Sequence, residues 1–531
     1  MPAALTYPGV YIEEVSSGVR TITGVATSIT AFLGRALRGP VNEAVILNSF
    51  GDFEASFGGL DPAYPLGYAV RDFFQNGGAK AIVVRLYKTD GGKADSTLKM
   101  PGSLDLLAAS EGTWGNALRG RVDYDKVTDE IAQGYNPAYT KADLFNLSLY
   151  DGGTGKVETF RNLTVKESPR RVDRVLEASS SLAQVTGPLP GAVPTNQPAP
   201  EVGKTIWTSA TASIKVADPD KATDGSALAV ATDFTGSLVA KTGLYALENV
   251  DLFNLLCIPP DTRGGDTPTA ALSEALAYCQ KRRAMLIVDA PSGWTGANDI
   301  VSGSKLATLN LSGLATRNAA LYFPRVLESD PKRDGQIDTF VPCGIIAGIM
   351  AATDAQRGVW KAPAGLDAGL SGVQGLAVTL TDDENGMLNP LGINCLRAFP
   401  AAGRVVWGAR TLRGDDQLGD EYKYIPVRRL ALFIEESLYR GTKWVVFEPN
   451  DEPLWAQIRL NVGSFMHNLF RQGAFQGQSP RDAYFVKCDK ESTTQNDIDL
   501  GIVNILVGFA PLKPAEFVVI KLQQIAGQIV V

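Results

Sequence analysis

Apolar residues along this chain fall either into short unbroken runs or into stripes with helical spacing, and the alternation of the two predicts an α/β protein. From about Thr21 to Tyr87, residues 28–34 read as a strand, and Gly39-Pro40 marks the turn beyond it. Ser49 is placed to N-cap a short helix through Phe57. Pro65 opens a second helix, residues 66–74, with Leu66, Ala69, Val70, Phe73 and Phe74 on one side and Asn76-Gly77-Gly78 as its stop. Residues 81–84 form a continuous apolar run, the mark of a buried strand, extending to Leu86. After a polar linker (88–95), residues 145–150 and 156–160 flank Asp151-Gly152-Gly153-Thr154-Gly155, which predicts a hairpin. Residues 186–237, rich in Pro, Ala, Thr and Gly, read as a loop-rich surface insertion. Between 247 and 390, strands at 252–258, 284–288 and 319–323 alternate with helices at 270–282 and 342–352, the pattern of a doubly wound sheet.

The last 140 or so residues are more legible. A hairpin over 396–406 turns at Pro400-Ala401-Ala402-Gly403, a helix spans 427–439 with Gly441 as its C′ residue, and a strand is expected at 443–448. Asn450 is the predicted cap of a helix with Asp451, Glu452 and Pro453 in its first turn. Leu454, Ile458, Val462, Phe465 and Leu469 give that helix one apolar face, ended at Gly473. Three closing strands are expected at 483–488, 502–510 and 517–522. At the N-terminus a Pro8-Gly9 hinge precedes one short β-prone run, Val10, Tyr11, Ile12, Glu13, Glu14 and Val15, with no hairpin mate nearby. The tail, containing Gln524, Ile525, Ile529, Val530 and Val531, is a second orphan strand.

Composition narrows the classes. The 531 residues are 45% hydrophobic and 20% charged, which suits a folded protein too long for a single core. Net charge is −7 with no Lys/Arg-rich run, which disfavours a nucleic-acid partner. The five cysteines (Cys257, Cys279, Cys343, Cys395, Cys488) are scattered without a CxxC, as free core thiols of a reducing compartment are. The N-terminus lacks the pattern of a secretory signal and no apolar run approaches a membrane span, so synthesis and folding are expected in the cytoplasm, without direct membrane insertion.

Candidate chemistry is sparse. The single histidine, His467, sits in an apolar helical segment with no orienting carboxylate at a useful spacing, and reads as structural or surface. Gly152-Gly153-Thr154-Gly155-Lys156 resembles a phosphate loop only superficially. Tyr150 stands where the first glycine belongs, Val157 where Ser or Thr belongs, and the segment joins two strands. No G-x-G-x-x-G follows any strand of the doubly wound region, and Asp382-Asp383-Glu384 reads as a solvated acidic turn. Neither a catalytic nor a metal site is expected, and no cofactor.

Several segments carry a family resemblance: Tyr7-Pro8-Gly9-Val10-Tyr11-Ile12-Glu13-Glu14, Thr113-Trp114-Gly115-Asn116-Ala117-Leu118 and Gly392-Ile393-Asn394-Cys395-Leu396-Arg397. Arg428-Arg429-Leu430 with Glu435-Glu436-Ser437-Leu438, Phe447-Glu448-Pro449-Asn450, and the run from Ala510 through Pro511-Leu512-Lys513-Pro514-Ala515-Glu516-Phe517-Val518-Val519 belong with them. In this order they resemble contractile tail sheath proteins of phages, phage-tail-like bacteriocins and extracellular injection systems, more than the two-subunit sheath of type VI secretion. The resemblance implies a non-enzymatic homo-oligomer of hexameric rings stacked helically around an inner tube protein, in contact with baseplate and terminal cap proteins, which shortens to drive the tube through a membrane. It further implies an arm at 1–20, an inner α+β domain from 21–90 and 391–522, a middle α/β domain from 91–185 and 238–390, an outer insertion at 186–237 and a second arm at 523–531. The arm strands would join neighbouring subunits, and Arg428, Arg429, Arg459 and Arg471 are candidates for the tube contact. Two rival classes stand beside this: a nucleotide- or sugar-dependent enzyme using the middle α/β unit, and a non-contractile tube or baseplate component.

Overall fold

The computed structural model describes residues 20–521. The arm strands expected at Val10, Tyr11, Ile12, Glu13 and Val15, and at Gln524, Ile525, Ile529, Val530 and Val531, lie outside the described residues. In chain order the strands are β1 (Thr30–Gly34), β2 (Ala44–Leu47), β3 (Ala81–Arg85), β4 (Thr97–Met100), β5 (Leu104–Ala108), β6 (Leu118–Asp123), β7 (Phe145–Asp151), β8 (Val157–Leu163), β9 (Ala183–Thr186) and β10 (Ile214–Lys215). They continue with β11 (Leu255–Cys257), β12 (Met285–Asp289), β13 (Ala319–Phe323), β14 (Val326–Asp330), β15 (Gln336–Phe340), β16 (Val373–Leu376), β17 (Ile393–Phe399), β18 (Gly403–Val406), β19 (Tyr484–Lys487) and β20 (Leu506–Phe509).

Eight strands form one sheet in the order β18-β17-β13-β12-β11-β1-β3-β2, parallel within and antiparallel at both edges. Its strands alternate strictly. Phe32, Val83, Cys257, Ile287 and Tyr322 pack under the Phe50–Phe57, Pro65–Gln75 and Cys343–Arg357 helices. Leu33, Val84, Leu256, Leu286 and Leu321 face the Thr269–Lys281 helix on the other side. Burial on both faces is why these strands read as unbroken apolar runs. Ser49 caps the first helix in a reciprocal capping box with Asp52, and Pro65 and Asn76 bound the second, as the sequence predicts. That second helix meets the Cys343–Arg357 helix closely: a Cβ on Gly344 would lie 2.0 Å from the Ala69 carbonyl oxygen.

The sheet overrides the expected division of the chain. Strands from 21–90, from the middle α/β region and from the C-terminal third share its ladder, so no boundary falls between the first two. Residues 97–216 form a separate lobe of two sheets, β4-β5-β9 and β10-β6-β7-β8, around Leu98, Leu106, Val122, Phe145, Leu149 and Leu176. Residues 186–237 are loop-rich, yet they strap this lobe to the large sheet. On the lobe Gln197 accepts the Val122 N–H, β10 pairs with β6 and Asp220 holds Lys99, while at the large sheet Ser226 accepts from Arg35 and Leu228 donates to Asp261. Pro and Gly in the strap conceal this because its contacts are polar and scattered, without period.

The C-terminal region packs the Ile425–Gly441 and Glu452–Arg471 helices and the β19–β20 hairpin around Leu430, Ile434, Leu454, Ile458, Val462 and Phe465. Residues 443–448 are a 3-10 turn followed by a loop rather than a strand. The chain must reverse between two helices there, and Val446 and Phe447 stay 63% and 103% exposed. Gly441 lies inside the first helix, with Thr442 at its C-cap. Asp451, not Asn450, is the N-cap of the second helix. Asn450 instead accepts the Trp455 indole N–H at 2.9 Å and donates to the Ile502 carbonyl at 3.0 Å. Asp382-Asp383-Glu384 open a helix capped by Thr381, where the dipole favours their charge. All five cysteines are buried and unpaired.

Candidate functional site

The described chain enters across the C-terminal helix pair and leaves past Arg410 and Tyr424. At the N-terminal side, Arg20 lies over the Trp444 ring at 4.8 Å and its backbone N–H donates to Asn461 Oδ1 at 3.0 Å. Ile22 is buried, the Val25 N–H donates to Ser437 Oγ at 3.2 Å, and the Thr27 hydroxyl donates to Asp354 at 2.6 Å. Residues 20–27 are thereby strapped across the Ile425–Gly441 helix.

At the C-terminal side, the chain passes from β20 through an isolated bridge between Pro511 and Phe475. Residues 512–518 then border a groove of about 1020 Å³ shared with Trp360, Lys361, Trp407 and Gln472. One side chain anchors this crossing. Glu516 accepts two bonds from the fully buried Arg410, Nε to Oε1 at 2.8 Å and Nη2 to Oε2 at 2.7 Å, and a third from the Tyr424 hydroxyl at 3.1 Å. Arg410 Nη1 donates to the Asn389 and Gly414 carbonyls and to Asp416. Burial works against the guanidinium charge, but Glu516 and Asp416 outweigh it and hold its pKa above the ordinary value. Burial, then the Glu516 charge and hydrogen bond, push the Tyr424 hydroxyl up to about 12. Beyond Glu516 the expected strand 517–522 has no partner among the described residues. Phe517, Val518, Val519 and Ile520 are 73%, 83%, 78% and 78% exposed.

The four candidate tube-contact arginines separate. Arg429 is buried, holding Asp354 at 2.9 and 2.6 Å and the Thr27 carbonyl at 2.9 Å, so it is not a surface residue. Arg428 is mostly covered, bonded to Asn318 and Glu435 and stacked over Tyr422. Arg459 reaches Glu452 and the Cys488 carbonyl. Arg471 is exposed at the end of its helix, with no ion pair among the described residues. It shares the outer face of that helix with Ala456, Leu460, Ser464 and His467, all exposed.

The place where the large sheet would seat a nucleotide is filled. Strand order reverses at β1 and β11, and beyond their carboxyl ends Arg35 pairs with the buried Asp261 at 2.6 and 2.8 Å. The 226–228 segment closes over them, Ser226 accepting from Arg35 and Leu228 donating to Asp261. Among the described residues no group of His, Cys, Asp or Glu is placed to hold a metal ion, and no helix is long and apolar enough to cross a membrane.

Residues 229–412 match the phage tail sheath protein central domain, and residues 418–525 match the phage tail sheath C-terminal domain, together more than half of the chain. The chain belongs to the phage tail sheath family. It is 25% identical over 482 residues to the tail sheath protein of Burkholderia phage BcepMu, 88% of this chain and 87% of that one. The match to the tail sheath protein of Vibrio phage KVP40 is 28% over 231 residues, 43% of this chain but only 32% of the longer relative. In fold the chain is similar to the contracted PVC sheath of an extracellular contractile injection system, with TM-score 0.58 over 98% of each chain at 22% identity. It is similar also to the sheath tail protein of Listeria innocua, with TM-score 0.59 over 92% and 96% at 14%. The protein is a structural subunit of a contractile tail sheath, and the family reading of its sequence holds. Sequence reasoning missed the Arg410–Glu516 anchor. Glu516 stands in a segment that carried the resemblance, but nothing in the pattern around Arg410 pointed to it.

Proposed function

We propose that the subunit assembles as hexameric rings stacked helically around an inner tube, and that contraction of the lattice drives the tube through a target membrane. The observation that carries this reading is the apolar run Phe517–Ile520, exposed beyond the Glu516–Arg410 anchor at the C-terminal exit. A chain that leaves its own fold with an exposed apolar run is suited to adding a strand to another copy, and the expected arms (10–15 and 524–531) flank the described residues. The β19–β20 hairpin is the natural acceptor. Among the described residues it has two strands, with Phe485 59% and Leu506 51% exposed, and a two-stranded sheet gains most from an added strand.

Ladder bonds are indifferent to side chains and survive large rotations of the bodies they join. Each nets about 1 kcal/mol, so one arm is a modest tether and the lattice gains its strength by repetition. The stored energy is a packing difference between two lattices, so no catalytic step is needed, and the Arg35–Asp261 plug agrees with a non-enzymatic role. Arg471, with the exposed face it shares, supports contact with the tube better than Arg428 or Arg429. Baseplate and cap proteins would terminate the stack, and assembly would take place in the bacterial cytoplasm. The test is electron microscopy of the purified full chain and of a chain lacking residues 1–17. Helical tubes with sixfold rings from the first, and a folded but assembly-defective second, are expected. A stable monomer that binds nucleotide would refute the polymer, and a truncation that still forms contractile sheaths would refute the arms.

A further inference from the structure

The three-stranded sheet β15-β14-β16 docks on the Pro65–Gln75 helix through a face that is apolar at one end and acidic at the other. Val326 and Phe340 face the helix at the apolar end, while Glu328, opposite Asp338, and Asp330 follow along the same side. The basic groups facing them are few. Arg263 holds Asp330 at 2.6 Å and Asp338 at 2.9 Å, and half-exposed Arg333 adds a second contact to Asp338. The Tyr68 hydroxyl donates to Asp330 at 2.7 Å. Arg325 is committed to Asp266 and to the Ala290 and Gly265 carbonyls. β16 (Val-Gln-Gly-Leu) brings no titratable group. Arg71 alone therefore serves two buried carboxyls. Its Nε and Nη2 donate to Asp72 Oδ1 at 2.9 and 2.7 Å, and Nη2 also reaches Glu328 Oε2. Asp72 and Glu328 are each 2% exposed, and Asp72 Oδ2 and Glu328 Oε1 receive no hydrogen bond among the described residues.

Two buried carboxylates on one guanidinium leave an uncompensated charge and two orphaned acceptors, which a single proton between them would cure. We infer that Asp72 and Glu328 share one proton, and that this proton fastens the β14–β15–β16 sheet to the 65–75 helix, so that the docking loosens as the proton leaves in alkaline solution. Glu328 carries it. Asp72 has the two-pronged Arg71 contact and borders a cavity of about 10 Å³ beside Tyr68 and Arg263, whereas Glu328 Oε1 has neither. Consistent with this, burial and then the Asp72 charge push the Glu328 carboxyl well above the usual carboxylate range, while Arg71 limits the rise that burial imposes on Asp72. A carboxyl raised in the fold stabilises fully below its unfolded value of 4.5, and that contribution is lost as pH climbs into the alkaline range through its raised folded value.

The test compares the full chain with E328Q, whose amide keeps a donor toward Asp72 but cannot titrate. In infrared spectra at pH 8 the wild type is expected to show the carbonyl band of a protonated buried carboxylic acid, which disappears as pH climbs further into the alkaline range and is absent from E328Q. Hydrogen-exchange protection of peptides spanning 326–340, taken relative to E328Q, is expected to fall by up to about tenfold per pH unit between pH 6 and 9. A wild type without the protonated-acid band at pH 8 overturns the proposal, whether or not E328Q folds. So does an E328Q protein with the same pH dependence of protection as the wild type.

Discussion

Replacing Glu516 with alanine tests the anchor at the C-terminal exit. Glu516 is half-buried between the exposed Ala515 and Phe517, and its carboxylate makes the polar contacts that hold this stretch against the body. It accepts two charge-assisted bonds from an arginine with no exposed surface, plus the Tyr424 hydroxyl. Each charge-assisted bond is worth about 1.5–3 kcal/mol. The freedom the segment loses on docking, about 1 kcal/mol per residue, is the same in both proteins and cancels from the difference. Arg410 keeps Asp416 and two carbonyls after the substitution, so the cost falls below that of stripping a buried charge bare. The net loss of docking free energy is about 2–3 kcal/mol, or roughly 30- to 150-fold in the docking equilibrium. E516Q, which retains one acceptor oxygen, should lose about tenfold. Hydrogen exchange by mass spectrometry of peptides covering 505–521 and 389–416 reads both numbers, and electron microscopy of the same samples reads assembly. Exchange in E516A within threefold of wild type, with normal tubes, would show that the segment is held elsewhere and would refute the anchor.

Removing Arg429 leaves Asp354 buried without its partner and frees the Thr27 carbonyl, so R429A should lower unfolding free energy by about 3–5 kcal/mol in urea titrations. R471A should change it by less than about 0.5 kcal/mol while weakening attachment to the tube in co-sedimentation. A large stability loss in R471A would mean that it is not the free surface charge described here. Phe447 holds φ at +71° with its ring wholly exposed. F447G should therefore gain about 0.5–1 kcal/mol, the relieved strain exceeding the added freedom of the unfolded chain, and a lower melting temperature would contradict the strain. The E328Q profile and the 1–17 truncation complete the set.

Sequence by itself determined the elements whose cause is local. The Ser49 capping box, Pro65 at a helix start, the unbroken runs of β1, β3, β12 and β13, and the apolar stripe from Leu454 to Leu469 are each fixed by a few neighbouring residues, and each stands where its pattern put it. Family membership was legible for a similar reason, because short segments in fixed order carried it. Where a run of apolar residues lacked a partner, pattern alone misled. Residues 443–448 and 517–522 both look like strands, yet the first is a reversal between helices and the second has no ladder among the described residues. Strandness needs a neighbour, and the neighbour is chosen by tertiary packing.

Only the tertiary structure decided how the pieces join. One sheet gathers strands more than 300 residues apart, and its shared ladder overrules any division drawn from composition. The same holds for polar contacts: Arg410 with Glu516, Arg429 with Asp354, Arg35 with Asp261, and Arg71 between Asp72 and Glu328. Burial turns an ordinary Arg or Asp into an anchor or a shared-proton site, and burial is a property of the folded whole with no period in the chain. The sequence therefore established that this is a sheath subunit, and the fold established which of its charges remain on the surface to meet a partner.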